Sequence, residues 1–351
     1  MNLGYWGRGT SGPDQVAVAQ AADRLGYDSV WVAEAYGSDS PSMLAWIGAL
    51  TEHVGLGSAV MQIPGRTPAM TAMTAATIDT MSGGRFRLGL GVSGPQVSEG
   101  WHGVPFRHPL GRTRDYVEIV RAALRRDTVT HAGPHYPLPL PGGQGKALKL
   151  AARPVRADLP IYLAAVGPKN LELTGEIADG WLAIFFSPEH AGDLLSTLEA
   201  GRRRGGRGPA EDPMAGFDVV ASTPVVLVDD VAAAADHVRD YCALYIGGMG
   251  SREQNFYNQL ACRMGFEEDA ARIQDLYLAG RHREAAAAVP LEFVDETALL
   301  GSPQRVARRL RRYEEAGVTT LAVAVGGGMT REQALATLEV TASVAGLRPH
   351  R

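Results

Sequence analysis

Residues 29–34 read SVWVAE, residues 54–61 VGLGSAVM and residues 86–93 FRLGLGVS. Each is a short apolar run of strand length. Helical periodicity fills the gaps between them, over 42–53 and then 68–81, where Ser82, Gly83 and Gly84 stop the second helix. Strand and helix in strict alternation is the pattern of βα units feeding a parallel sheet. Toward the N-terminus, residues 2–7 supply an earlier strand and 13–26 a helix closed by a glycine cap.

Beyond the fourth strand a helix over 112–126 leads into a Pro/Gly-rich excursion, 133–145, that reads as a hairpin or loop. Regularity then returns: PIYLAAV (160–166) is a fifth strand, 168–178 a helix, 180–186 a sixth strand and 188–204 a helix, followed by a polar linker over 205–213. Residues 217–228 give strand seven, TTLAVAV (319–325) strand eight, and 331–344 a last helix. The expectation is an α/β fold, a single (β/α)₈ TIM barrel domain over 1–351. Roughly ninety residues separate strands seven and eight, more than a βα connection needs. They predict a helical insertion over about 245–300, holding GGMG (247–250), NFYNQL (255–260) and an alanine-rich helix (284–289). Such a segment serves either as a structural lid or dimer surface, or as part of a substrate site.

With 351 residues, 45% hydrophobic and 21% charged, the chain can bury a large core. A net charge of −4 gives no reason to expect nucleic acid or an acidic membrane as partner, which leaves small-molecule chemistry. Cys242 and Cys262 lack CxxC spacing, so neither a disulfide framework nor a zinc site is expected, and a reducing cytoplasm fits. Neither a basic, apolar leader nor an 18-residue apolar run occurs, so neither secretion nor membrane spanning is expected. The chain carries no GxxxxGK[ST] loop, HExxH or GxSxG, and GLGVSG (89–94) lacks the helix start of a dinucleotide fingerprint. The histidine spacing predicts no metal site.

In such a barrel the active site forms at the carboxyl ends of the strands. That rule selects Glu34-Ala35-Tyr36, Val60-Met61-Gln62, Ser93-Gly94-Pro95 and Gly167-Pro168-Lys169-Asn170. Glu34 ends an apolar strand, so its charge meets either a cationic partner or the barrel mouth. It is a structural ion pair or a group that contacts a planar ring and influences proton transfer. GVSGPQVSEGW (91–101) puts small residues where a ring could approach backbone, although a glycine-rich strand exit has the same look. Gly167–Asn170 (GPKN) is a strand exit entering a helix. It suits a phosphate by its free N–H groups, helix dipole and lysine, or is simple capping. His102 and His108 flank a loop, as solvated or substrate-lining groups. Trp6, Tyr36 and Trp101 are candidate pocket walls, with Tyr5, Trp46 and Phe186 divided between pocket and core.

Four stretches taken together, SVWVAEAYGSD (29–39), LGSAVMQIPGRTPAMTAMTAATIDTMSGGR (56–85), LGLGVSGPQVSEGWHG (88–103) and LAAVGPKNLELTGEIADGW (163–181), resemble the luciferase-like monooxygenase superfamily in its F420-dependent oxidoreductase branch. The resemblance covers nearly the whole chain. It implies the barrel with an insertion before the last strand, a ring system at the mouth, and a bulge with a non-prolyl cis peptide at Ala59–Val60. The residues it implies for the cofactor are Glu34, Ala59, Val60, Met61, Gln62, Ser93, Gly94, Ala165, Gly167, Pro168, Lys169 and Asn170. Glu34 and Glu99 are the implied catalytic groups.

The implied cofactor is coenzyme F420, with FMN the alternative. The implied reaction is F420H₂-dependent reduction of a C=C or C=N bond in a small organic substrate. The alternatives are an FMNH₂-dependent monooxygenase using O₂ and a noncatalytic flavin-binding barrel. A cytoplasmic homodimer is implied. One position departs from the pattern: several deazaflavin-dependent relatives carry histidine directly after the strand-two acid, where this chain has Ala35. A proton must then come from Glu34, Tyr36, Glu99, a substrate-side group or solvent.

Overall fold

The computed structural model describes residues 1–7, 13–252, 254–325 and 328–350. Eight parallel strands form the barrel: β1 (Asn2–Gly7), β2 (Ser29–Val32), β3 (Gly55–Ser58), β4 (Phe86–Gly91), β5 (Ile161–Ala164), β6 (Gly180–Ile184), β7 (Asp218–Val226) and β8 (Thr320–Ala324). Each pairs with the next, and β8 pairs with both β7 and β1, Thr320 lying against Val220 on one side and Asn2 on the other. The sheet therefore has no edge. Helices Pro13–Leu25, Ser40–Ala49, Pro68–Met81, Pro109–Leu124, Pro168–Ile177, Ala191–Arg204, Pro303–Glu315 and Arg331–Ala345 follow the strands in turn. The (β/α)₈ barrel expected from the alternation is the observed fold.

Side chains alternate along every strand. Leu3 and Tyr5 of β1, Val30 and Val32 of β2, and Leu88 and Leu90 of β4 join the large core beneath the helices. Trp31, Tyr162, Leu182, Val220 and Ala322 form a separate core inside the barrel. Two large aromatics fit there because glycines face them. A Cβ on Gly57 would lie 2.2 Å from the Trp31 ring, and one on Gly180 would lie 2.3 Å from Tyr162. The two rings meet edge to face at 5.1 Å. Polar groups close the amino-terminal end: the Tyr162 hydroxyl donates to Asp218 (3.0 Å), Thr320 donates to the same carboxylate (2.9 Å) and Arg87 pairs with Asp28 at 2.6 Å. Burial, helped by Asp218, pushes the Tyr162 phenol well above its usual range. Toward the carboxyl end, Trp6, Val60 and Ala164 pack on this core while remaining partly exposed, and form the floor of the mouth.

Strand three departs from the run expected over 54–61. It stops at Ser58, and a two-residue strand, Met61–Gln62, resumes the pairing against Leu90 and Gly91. Between them the Ala59–Val60 peptide is cis, at the implied position. The excursion after the fourth helix is irregular, with one antiparallel bridge between His131 and Leu138 and a cis Leu138–Pro139 bond.

Between β7 and β8 the helical material begins at Val231, ahead of the expected start near 245. Asp230 caps the helix Val231–Ala243 by accepting from Ala232 N at 2.9 Å. Phe256–Arg263, Glu267–Leu278, His282–Ala287 and Leu291–Thr297 follow, with an apolar core of their own. Leu299–Leu300 then pairs in parallel with Val225–Val226, extending β7 before the chain returns to the outer helix ring. Among the described residues no helix is long and apolar enough to cross a membrane.

Candidate active site at the barrel mouth

The carboxyl end of β2 is fixed by one carboxylate. Glu34 is buried, and both of its oxygens are occupied: Oε1 accepts from Arg66 Nη2 at 2.7 Å and from Ser40 N at 3.3 Å, while Oε2 accepts from Arg66 Nη1 at 2.8 Å and from Gln62 N at 3.0 Å. Arg66 also reaches Asp39, which caps the helix Ser40–Ala49 through Ser42 N. Burial works against the guanidinium charge, but Glu34 and Asp39 together hold the Arg66 pKa above its usual value. A bidentate pair of this kind fixes orientation as well as charge. Of the two readings of Glu34, the ion pair is what the side chain makes, and it ties the β2 exit to the chain just past the cis peptide.

Gln62 is the hub of the next layer. Its Nε2 donates to the Ala35 carbonyl, and its Oε1 meets Ser93 Oγ at 3.0 Å and His102 Nε2 at 2.9 Å. Among the described residues three strand exits carry a non-glycine residue in the left-handed region, Ala35 (φ 46°), Ser93 (59°) and Phe185 (50°). Conformations of this sort cost about 1–3 kcal/mol and collect at functional sites. Gly91 faces the bulge so closely that a Cβ there would sit 2.5 Å from Val60 Cγ2.

The helix Pro168–Ile177 starts as the sequence predicts. Gly167 is its N-cap, with no side-chain acceptor, and open space surrounds the place a Cβ would take. Asn170 Oδ1 is buried without a hydrogen-bond partner, and Lys169 is exposed beside it. The backbone around this start is anchored from both sides. Trp181 Nε1 donates to Ala165 O (2.9 Å), and Arg263 of the insertion donates to Val166 O (3.0 Å). An uncapped helix start with a lysine and free space can take a phosphate.

The structure brings Glu34, the Ala59–Gln62 bulge and Ser93 into one bonded group. It does not do so for Glu99, which is exposed on the short helix Pro95–Gly100 with Oε1 accepting from Phe106 N (2.9 Å). Tyr36 and Trp101 are 58% and 67% exposed at the rim, whereas Trp6 is partly buried with its ring stacked 6.2 Å from Trp31. Tyr5 and Phe186 are core, and Trp46 is exposed on the outside of the barrel's helix ring. Among the described residues no cluster of three or more His, Cys, Asp or Glu could hold a metal ion.

The family described as luciferase-like monooxygenase matches this sequence over residues 5–320. The chain belongs to that family. A Mycobacterium tuberculosis protein named as a putative coenzyme F420-dependent oxidoreductase is 46% identical over 334 residues, covering 93% of this luciferase-like chain and 94% of the relative. A 5,10-methylenetetrahydromethanopterin reductase of Archaeoglobus fulgidus is 28% identical, covering 85% of each chain. In fold, the luciferase-like barrel matches the coenzyme F420 dependent tetrahydromethanopterin reductase from Methanopyrus kandleri with a TM-score of 0.82 at 23% identity, over 99% of both chains.

Two features of this luciferase-like barrel escape a reading by strand ends. The first is Arg66, 32 residues after Glu34, whose pairing only the folded chain creates. The second is the seam between β6 and the insertion. There Phe185 packs against Tyr241 (5.3 Å), Tyr245 (5.6 Å) and Phe293 (5.5 Å). A cavity of about 280 Å³ opens beside it, lined by Phe185, Ser187, His190, Leu260 and Arg263 among others. The insertion also reaches the rim: burial pushes the Tyr277 phenol up, and nearby Tyr36 adds to the effect. Tyr257 of NFYNQL, 6.4 Å from Phe185, was the available signal for this seam, but nothing marked its partner just past β6.

Glu189, just past β6, ties the site to the outer ring by accepting from Arg309 Nη2 at 2.9 Å, with Arg312 3.2 Å away. Burial opposes its charge, but Arg309 and the local hydrogen bonds outweigh that and bring its pKa to about 2. The folded value lies below the unfolded one, near 4.5, so the contribution to stability is complete above about 4.5 and is lost as pH falls toward 2. Glu189→Gln is expected to remove that part of the acid destabilisation. Unfolding midpoints of the two proteins, measured from pH 6 downward, should converge as pH approaches about 2. A constant gap across the range would contradict it.

Proposed function

We propose that this chain is an F420-dependent oxidoreductase, an F420H₂-dependent reductase that passes hydride to a C=C or C=N bond of a small organic substrate. The observation that carries this is the 46% identity to a protein named as a putative coenzyme F420-dependent oxidoreductase, which extends over 93% of the chain. Bound F420 supplies two-electron hydride chemistry.

The chain's own residues do the rest. Trp6, Val60 and Ala164 offer a partly open floor for a planar ring, and the bulge from Ala59 to Gln62 supports its edge, with Glu34 and Arg66 holding that bulge in place. The start of Pro168–Ile177 at Gly167, with Lys169, takes the phosphate of the cofactor tail. Ser93 and Gly94 leave backbone accessible beside the ring, and Tyr36 and Trp101 wall the substrate side.

The chain acts as a cytoplasmic homodimer. Trp46, Met70, Met73 and Met81 are more than half exposed on the adjacent helices Ser40–Ala49 and Pro68–Met81, a face suited to a second copy. The free thiol of Cys262 suits a reducing compartment.

Separate titrations with F420 and FMN test the cofactor. Micromolar binding of F420, with FMN at least about tenfold weaker, is the expected result. Binding of FMN alone would overturn the assignment. Oxidation of F420H₂ against a panel of enones and imines then identifies the substrate class.

A further inference from the structure

Position 35 is alanine and offers no acid–base side chain, yet an imidazole reaches the Gln62 layer from the chain beyond β4. His102 follows the short helix Pro95–Gly100, and its own N–H donates to Val97 O at 3.1 Å. Its ring lies against Gly65, where a Cβ would sit 3.1 Å from Cε1. Glycine at that loop position leaves the space the ring occupies.

The protonation pattern of this ring follows from its neighbours. The Gln62 amide meets the Ala35 carbonyl, a group that only accepts, so its NH₂ faces Ala35 and its oxygen faces Ser93 and His102. An amide oxygen carries no proton. Both partners must therefore donate, and the bond at 2.9 Å places the imidazole proton on Nε2. The neutral ring is left with its lone pair on Nδ1. Gln62 is itself held through Gln62 N by Glu34, so the tautomer rests on the same clamp that fixes the bulge.

We propose that His102 is the acid–base residue of this site, exchanging a proton with substrate at Nδ1 while Nε2–H stays anchored on Gln62. The proposal rests on the oxidoreductase reading above. When the substrate double bond accepts a hydride at one atom, its other atom needs one proton. Nδ1 of the imidazolium gives that proton, the ring becomes neutral, and solvent reprotonates it; oxidation of the product runs the same transfer backward. Of the other candidates, both Glu34 oxygens accept two donors each and Glu99 braces Phe106 N, while Tyr36 stands 58% exposed at the rim. The Glu34–Arg66 pair is linked to the ring through Gln62, and Glu99 lies three residues earlier in the chain.

Nitrogen-15 spectra of histidine-labelled protein without cofactor test the first half. His102→Gln and His102→Asn assign the signal, the neutral ring should be protonated on Nε2, and adding F420 should shift Nδ1. A ring protonated on Nδ1 would overturn the proposal. With F420H₂ and the substrate from the panel, His102→Gln should lose about 10²–10³ in kcat. KM and F420 affinity should stay within about threefold, and one limb of the pH profile should vanish. Unchanged kcat and pH profile would also overturn it. Should His102→Gln not fold, the asparagine variant and the spectra of the unsubstituted protein decide. Failure of the unsubstituted protein to bind F420 instead defeats the cofactor reading, and the cofactor-free tautomer still judges the arrangement of His102.

Discussion

Arg66→Met should lower the unfolding free energy by about 3 kcal/mol and weaken F420 binding more than tenfold. The Glu34 side chain is 9% exposed and that of Arg66 19%, so removing the guanidinium strands a buried carboxylate. Orphaned charges of this kind cost about 3–5 kcal/mol, and the surviving donors at Ser40 N and Gln62 N keep the loss near the lower end. Cofactor affinity falls as well because the loop carrying Gln62 loses its clamp. The double variant Glu34→Gln/Arg66→Met removes both charges and should recover more than about 1 kcal/mol of the loss. Urea unfolding and F420 titration of the parent and the two variants measure all of this. A stability within about 1 kcal/mol of the parent for Arg66→Met would show that the pair is dispensable.

Gly89→Ala should yield no folded protein, or one destabilised by more than about 4 kcal/mol. Gly89 lies on the inner face of β4, and a Cβ there would stand 1.9 Å from Ser58 O and 2.8 Å from Leu182 Cδ1. The carbonyl cannot retreat, because Ser58 Oγ donates to Gly89 O (2.8 Å) and accepts from Gly89 N (2.9 Å), locking β3 to β4 at this level. Gly192→Ala is the control. Its Cβ meets nothing within 4 Å in the helix Ala191–Arg204, and the change should be neutral or stabilise by up to about 1 kcal/mol. Soluble expression and thermal unfolding report both, and a normally folded Gly89→Ala would refute the packing argument.

The barrel was legible because β-period and helix-period runs alternate without ambiguity, and because GPKN joins strand and helix in one tetrapeptide. Strand three was less so. VGLGSAVM is apolar throughout, and nothing in its composition separates the paired residues Gly55–Ser58 from the bulge at Ala59–Val60; resemblance alone located that peptide. Glu34 stood out as a charge on an apolar strand, but its partner is fixed by tertiary distance. The same holds for His102, one of two loop histidines alike in sequence: Gln62 and Gly65, 40 and 37 residues earlier, single it out. The insertion was visible as excess length, but its start at Val231 was not, because an amphipathic helix there also suits the outer ring.

The seam at Phe185 bears on how such barrels can be recombined. The inserted helices contribute Tyr241, Tyr245, Tyr257 and Phe293 to one ring cluster, and the barrel contributes Phe185 from a left-handed backbone position. The chain then leaves through Leu299–Leu300, zipped onto the end of β7. The insertion is therefore not a cassette that can be grafted by its two ends. A chimera that exchanges residues 231–300 must bring the matching residue at 185 and the matching end of β7 with them, because the three parts pack as one unit.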